Sequence, residues 1–166
     1  MTIDRKQLRW NGWGWNDAPD LLGAKAESVW AWMGRIFGRD PLPHTPPKPL
    51  EEIVLPASRL DAAQLEELRA IIPAERVMTD AYERAFHARG KSYHDALWVR
   101  AGLLDTAPDA VIYPESEEET LAIMRWAAER NVALIPFGGG SSVVGGVTAV
   151  PGKNGRAAVS LDMTHM

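Results

Sequence analysis

Apolar residues follow two different rhythms along this chain. Between Asp61 and Ile72, Leu65, Leu68, Ile71 and Ile72 recur at the spacing of one helical face, with Asp61 placed as an N-cap and Gln64 three residues on. A second helix is expected from about Thr79 to Gly90, where the glycine would supply a left-handed C-terminal residue. After Pro108 short apolar runs alternate with a longer amphipathic one. "DAVIYP" reads as a strand stopped by Pro114, because proline donates nothing to a ladder. "SEEETLAIMRWAAERN" reads as a helix, with Ser116 as N-cap, Glu119 completing a capping box, and Leu121, Met124 and Ala128 along its apolar face. "VALIPF" is a second strand and "AAVSLDM" a third. Strand, helix, strand predicts a right-handed crossover with the first two strands as parallel neighbours.

The predicted fold class is therefore α+β, a helical region followed by the opening βαβ unit of a larger domain. Three segments are expected. Residues 1–49 form a Trp- and Gly-rich extension closed by Pro41–Pro49, whose five prolines make a semi-rigid linker. Residues 50–106 are helical, and 107–166 begin the α/β part.

Composition narrows the function. The chain has 166 residues with 46% hydrophobic and 24% charged content, as expected of a soluble globular protein. A formal net charge of -4 offers no basic footprint for nucleic acid, which is not expected as a partner. Zero cysteines excludes disulfides, thiolate nucleophiles and Cys-ligated zinc. No apolar run long enough for a transmembrane segment occurs, and the start lacks the apolar core of a signal peptide, so a cytoplasmic location is expected.

The candidate chemistry lies in "IPFGGGSSVVGG", Ile135–Gly146, at the carboxyl end of the second predicted strand, the usual ligand side of an open α/β sheet. Glycines let successive N–H groups point into a concavity, and Ser141 and Ser142 add hydroxyl donors, an arrangement suited to a diphosphate. The familiar phosphate signatures do not match. A P-loop needs GxxxxGK[ST], but no lysine lies between Lys91 and Lys153; a dinucleotide fingerprint needs a third glycine where Val143 stands. From local sequence alone, a plain structural turn stays open beside the anion nest.

The stretch "PDAVIYPESEEETLAIMRWAAERNVALIPFGGGSSVVGGV" resembles the opening of the FAD-binding domain of the vanillyl-alcohol oxidase and p-cresol methylhydroxylase (PCMH) type. "RWNGWGW" and "HARGKSYHDALWVRAGLLDTAPDAVIYP" are similar to the alkyldihydroxyacetonephosphate synthase branch of that group. The resemblance implies FAD as cofactor, with Pro136, Phe137, Gly138, Gly139, Gly140, Ser141 and Ser142 as its contacts. It also implies a small-molecule or lipid-like substrate and an alkyl-for-acyl exchange on acyl-dihydroxyacetone phosphate without net redox change. A homodimer of the full-length protein is left open. Relatives of this type are longer, and their catalytic residues come from later segments, so catalytic residues are unassigned here. The chain is expected to be an N-terminal portion, at best a weak FAD binder without turnover. Two other readings stay in view: an FAD-linked oxidase or dehydrogenase of a 2-hydroxy acid, and a noncatalytic interaction module.

Other residues carry plainer expectations. His87 and His94, seven apart, match no metal-ligand pattern and are expected as surface or hydrogen-bonded histidines. Lys91 and Arg100 are expected as solvated charges, and Glu117–Glu119 as first-turn charges complementing a helix dipole. Trp10, Trp13 and Trp15 are expected to bury their rings as core packing against the part of the fold outside this chain, with an aromatic partner- or membrane-facing surface as the other reading.

Overall fold

The computed structural model describes residues 5–19, 21–39, 41–43, 46–150 and 155–166. Part of the expected proline linker, His44 and Thr45, lies outside the described residues. The helices are Ala26–Ile36 (α1), Ala62–Ile71 (α2), Ala81–Phe86 (α3), Tyr93–Ala101 (α4) and Glu117–Glu129 (α5). The strands are Val77–Met78 (β1), Ala110–Ile112 (β2), Ala133–Phe137 (β3) and Ala158–Asp162 (β4). They form one mixed sheet in the order β1-β2-β4-β3, so the molecule is α+β as the sequence predicts.

The parallel direction of β2 and β3 agrees with the expected crossover, but the two are not neighbours. Both pair with β4, through Ala110↔Val159 on one side and Ala133↔Ala158 on the other. Composition explains the order. Every residue of β4 is buried, and its Ala158, Val159 and Leu161 suit a strand covered on both faces. β3 carries Pro136, which has no N–H to give a second partner and so belongs at an edge. The short β1, which the hydrophobic pattern does not signal, closes the other edge antiparallel to β2.

The main core lies between the sheet and the pair α2 and α5. Leu68 and Ile72 from the end of α2 meet Ile123 and Trp126 of α5 over Ile112, Val159 and Leu161. The Asp61–Gln64 capping box starts α2 as expected, each side chain bonding the other residue's backbone N–H at 2.8 and 3.1 Å. α5 turns the other way from the expectation. Ile123, Trp126 and Ala127 face the core, whereas Leu121 and Met124 are 44% and 53% exposed. Trp126 decides the face: its ring fills the core and its indole N–H donates to Glu67 Oε2 at 2.8 Å. Ser116 caps α5, accepting from the Glu119 N–H at 3.2 Å. The Glu119 carboxylate does not complete a capping box; it accepts both terminal nitrogens of Arg76 at 2.7 Å and the Glu115 N–H at 2.8 Å.

The single helix expected over Thr79–Gly90 is two shorter ones meeting at a turn. α3 begins at the Asp80 cap and stops at His87. α4 begins at an unforeseen Ser92–Asp95 capping box and ends at Gly102, which takes the left-handed conformation (φ +73°) expected for Gly90. Gly90 has a different reason to be glycine: a Cβ there would overlap the carbonyl oxygen of Ser142.

Near the start, Arg9 N–H donates to Gly14 O at 2.9 Å and Asn16 N–H to Gln7 O at 2.8 Å, closing a small hairpin that Tyr82 Oη–H holds through Leu8 O at 3.0 Å. Trp10 packs from this hairpin against two clusters, one around Val99 and Leu104, the other around Phe86 and Phe137. Trp13 and Trp15 do not share that role, being 61% and 42% exposed.

Candidate functional site

The carboxyl ends of the three parallel strands lie side by side, and β3 passes directly into the glycine loop. Gly138 and Gly139 are exposed, and a Cβ on either would meet nothing within 4 Å. Gly140 is buried with φ +65°, and a Cβ there would lie 2.6 Å from Cζ of Phe137. The first two glycines therefore leave open space above the backbone, and the third makes the turn over an aromatic floor. Among the described residues, the N–H groups of Gly139, Gly140 and Ser141 donate to no acceptor. The loop closes on itself through the Gly146 N–H, which donates to Ser142 Oγ at 3.1 Å.

The residues expected as a contact set thus divide. Pro136, Gly138, Gly139 and Ser141 are exposed, Ser142 is half-buried, and Phe137 and Gly140 are buried. Phe137 lies beneath the loop with its ring centroid 4.2 Å from that of His87 and 6.2 Å from that of Phe86.

Under that floor runs a chain of buried polar side chains. His87, fully buried, has Nε2 2.8 Å from Asp162 Oδ2 at the end of β4 and Nδ1 2.8 Å from the Glu83 carbonyl. Glu83 Oε2 accepts from the Tyr113 hydroxyl, just past β2, at 2.6 Å. Asp162 Oδ1 accepts from Thr164 N–H at 2.9 Å and from Thr164 Oγ1–H at 2.6 Å. The chain joins α3 to two strand ends, which is the hydrogen-bonded state expected for His87. Glu83, Tyr113 and Asp162 are far apart in sequence, and no spacing signals their meeting.

A second element reaches the loop from the α3–α4 turn. Flush packing at Gly90 lets the Lys91 N–H donate to Ser142 O at 2.7 Å. Lys91 is not the solvated charge expected of it. Its side chain is half-buried, with Nζ 5.7 Å from the Phe86 ring centroid and 6.0 Å from that of Trp13, and this desolvation lowers its pKa against a smaller opposing pull from Asp95. His94 is exposed on α4, as expected.

This geometry suits a diphosphate approached by neutral amides. It has free N–H groups, space for phosphate oxygens, and a strand end of the kind that binds ligands in α/β sheets. Among the described residues no α-helix begins after the loop, so no α-helix dipole points at it from there. Among the described residues no group of three or more His, Asp or Glu side chains is placed to hold a metal ion, and no helix is long and apolar enough to cross a membrane.

Comparison with known proteins agrees with this assignment of the fold. The model of the FAD binding domain family matches residues 108–166. Alkyldihydroxyacetonephosphate synthase of Trypanosoma brucei brucei is 33% identical over 183 aligned positions, covering 100% of this chain and 30% of the relative. The synthase of Dictyostelium discoideum is 29% identical, covering 97% of this chain and 30% of its own length. D-2-hydroxyglutarate dehydrogenase of Stutzerimonas stutzeri (strain A1501) is 34% identical over 102 positions, but over only 61% of this chain. A solved alkyldihydroxyacetonephosphate synthase structure superposes with a TM-score of 0.81 at 30% identity, covering 100% of this chain and 34% of that one. The chain spans about a third of the length of the synthases it matches. The FAD binding domain family thus matches residues 108–166, within a chain similar along its whole length to part of alkyldihydroxyacetonephosphate synthase.

Proposed function

We propose that the loop Gly138–Ser142 holds the diphosphate of FAD and that the protein containing it exchanges an alkyl for an acyl chain on acyl-dihydroxyacetone phosphate. The observation that carries the cofactor site is the set of unengaged N–H groups at Gly139, Gly140 and Ser141 beneath open space. Such donors hold a dianion without a lysine cradle or a metal, as suits a group that is retained and not cleaved. FAD, when bound, supplies the ring system on which the chemistry of such enzymes depends. The residues of this chain bind and orient it: the exposed amides receive the phosphates, and Phe137 and His87 keep the loop in its turn from below. Similarity to synthases along the whole chain supports the exchange reaction.

A second reading, oxidation of a D-2-hydroxy acid, draws on the 34% identity to a D-2-hydroxyglutarate dehydrogenase. Incubating the full-length protein that contains this chain with acyl-dihydroxyacetone phosphate and a radiolabelled long-chain alcohol, and separately with D-2-hydroxy acids and an electron-accepting dye, separates the two. The proposal expects label in an ether product and no dye reduction. Dye reduction without an ether product transfers the assignment to the second reading. For the cofactor site, titration of flavin fluorescence should saturate with the unchanged loop and fail with Gly139→Val, whose side chain would occupy the phosphate space. Saturation of both proteins at the same concentration removes the loop from the site.

A further inference from the structure

We infer that Lys91 supplies the positive charge for the diphosphate seated on the glycine loop, a role that rests on the loop being the diphosphate site. Amides alone leave such a group with its full negative charge in a partly desolvated place, and a nearby cation relieves that. Lys91 meets the requirement in position. Its peptide N–H is bonded to Ser142 O at 2.7 Å, and Gly90 beside it has no side chain to hold the loop away. The residue is thereby anchored at the loop edge while its four-carbon stem leaves the ammonium free to turn.

Its charge is also unused. Arg76 is matched by Glu119, Arg89 by Asp105, Arg130 by Glu67, and Arg84 donates to the carbonyls of Pro56 and Pro108. Among the described residues Lys91 has no carboxylate within ion-pair distance. Asp95, whose charge acts on it, is engaged elsewhere: Oδ2 accepts from the Ser92 N–H and hydroxyl, and Oδ1 faces Arg89 at 3.9 Å. The ammonium rests instead between the Phe86 and Trp13 rings, a weak site for a cation. A half-buried lysine without a counter-ion, tied by its own backbone to a loop of free amides, is suited to a phosphate ligand. The four arginines named above, each already matched, lack that combination.

The test uses two ligands that share the flavin ring, one with and one without the adenosine diphosphate, and reads the charge through the salt dependence. FAD and riboflavin are titrated into the unchanged protein and into Lys91→Met, Lys91→Arg and Gly139→Val, at low and high salt. Lys91→Met should weaken FAD about tenfold, the scale of one charge-assisted contact. It should leave riboflavin unchanged and flatten the salt dependence of FAD binding. Lys91→Arg should restore most of the FAD affinity. Equal losses for FAD and riboflavin in Lys91→Met would overturn the inference, since only packing would then have been removed. An unchanged FAD affinity and salt slope in Lys91→Met, with Gly139→Val defective, would also overturn it while sparing the loop. FAD binding by Gly139→Val as tight as by the unchanged protein would instead remove the loop reading on which the inference stands.

Discussion

Neighbouring glycines of the loop do different work. Only Gly140 of the three consecutive glycines has positive φ, at +65°, and only there would a side chain meet protein, the Phe137 ring 2.6 Å away. Gly140→Ala should therefore lower stability by about 1–3 kcal/mol, the scale of a strained left-handed residue. Gly139→Ala should leave the melting temperature unchanged and still weaken FAD, because its added methyl points into the ligand space and not into the fold. Thermal melts of both variants beside flavin titrations check this; equal destabilisation would mean that Gly139 is structural too. The tryptophans divide in the same way. Trp10, half-buried against two clusters, should cost about 2–3 kcal/mol as Trp10→Ala, somewhat less than a fully buried ring, whereas Trp13→Ala should stay within about 0.5 kcal/mol. Urea unfolding of the two variants measures it, and similar losses would refute the difference in packing. None of this was legible in "GGG" or "RWNGWGW", since identical letters conceal which residue faces a ring and which faces space.

At the scale of elements, local chemistry was readable where it was self-contained. The Asp61–Gln64 box forms because both partners lie within one turn. Glu119 leaves the expected capping box because Arg76, 43 residues away, offers two charged donors in place of one amide. α5 carries two apolar stripes, Leu121–Met124–Ala128 and Ile123–Trp126–Ala127, and periodicity alone does not rank them; the match of Trp126 to Glu67 does. The Arg76–Glu119 pair, linking the turn before β1 to α5, holds the Glu119 carboxyl below its usual range. A lowered folded pKa contributes stability that is present above the unfolded value and is lost as pH falls through the folded one. The stabilisation from Glu119 should thus be intact at pH 7 and decline on acidification below the ordinary glutamate range. Glu119→Gln should be less stable at pH 7, with the gap to the unchanged protein narrowing toward pH 3, in parallel denaturation series. A gap that is constant with pH would exclude an ionic contribution. The partly exposed geometry keeps the effect small, about 1 kcal/mol or less.

For the whole molecule, the sequence carried the α+β class, the parallel strands and the position of the loop, while strand order depended on details of composition. The residue that marks β3 as an edge strand, Pro136, was visible in the sequence, whereas the choice of β4 over β2 as its neighbour was not. The buried chain Tyr113–Glu83–His87–Asp162 was not visible, because it exists only when α3 and two strand ends converge. That chain supports the loop floor, so His87→Phe, which removes the two imidazole contacts to Asp162 Oδ2 and the Glu83 carbonyl, should lower stability by about 2–4 kcal/mol. Unfolding in urea tests this, and a neutral outcome would show the polar chain to be dispensable. The central claim is that the free amides of the glycine loop receive the diphosphate of FAD. It is tested most directly by backbone amide 1H–15N spectra of the protein as FAD is added, with riboflavin as the phosphate-free control. The account predicts that the Gly139, Gly140 and Ser141 amide protons move downfield with FAD and stay in place with riboflavin. Amides that stay in place while FAD saturates and shifts signals elsewhere would contradict it.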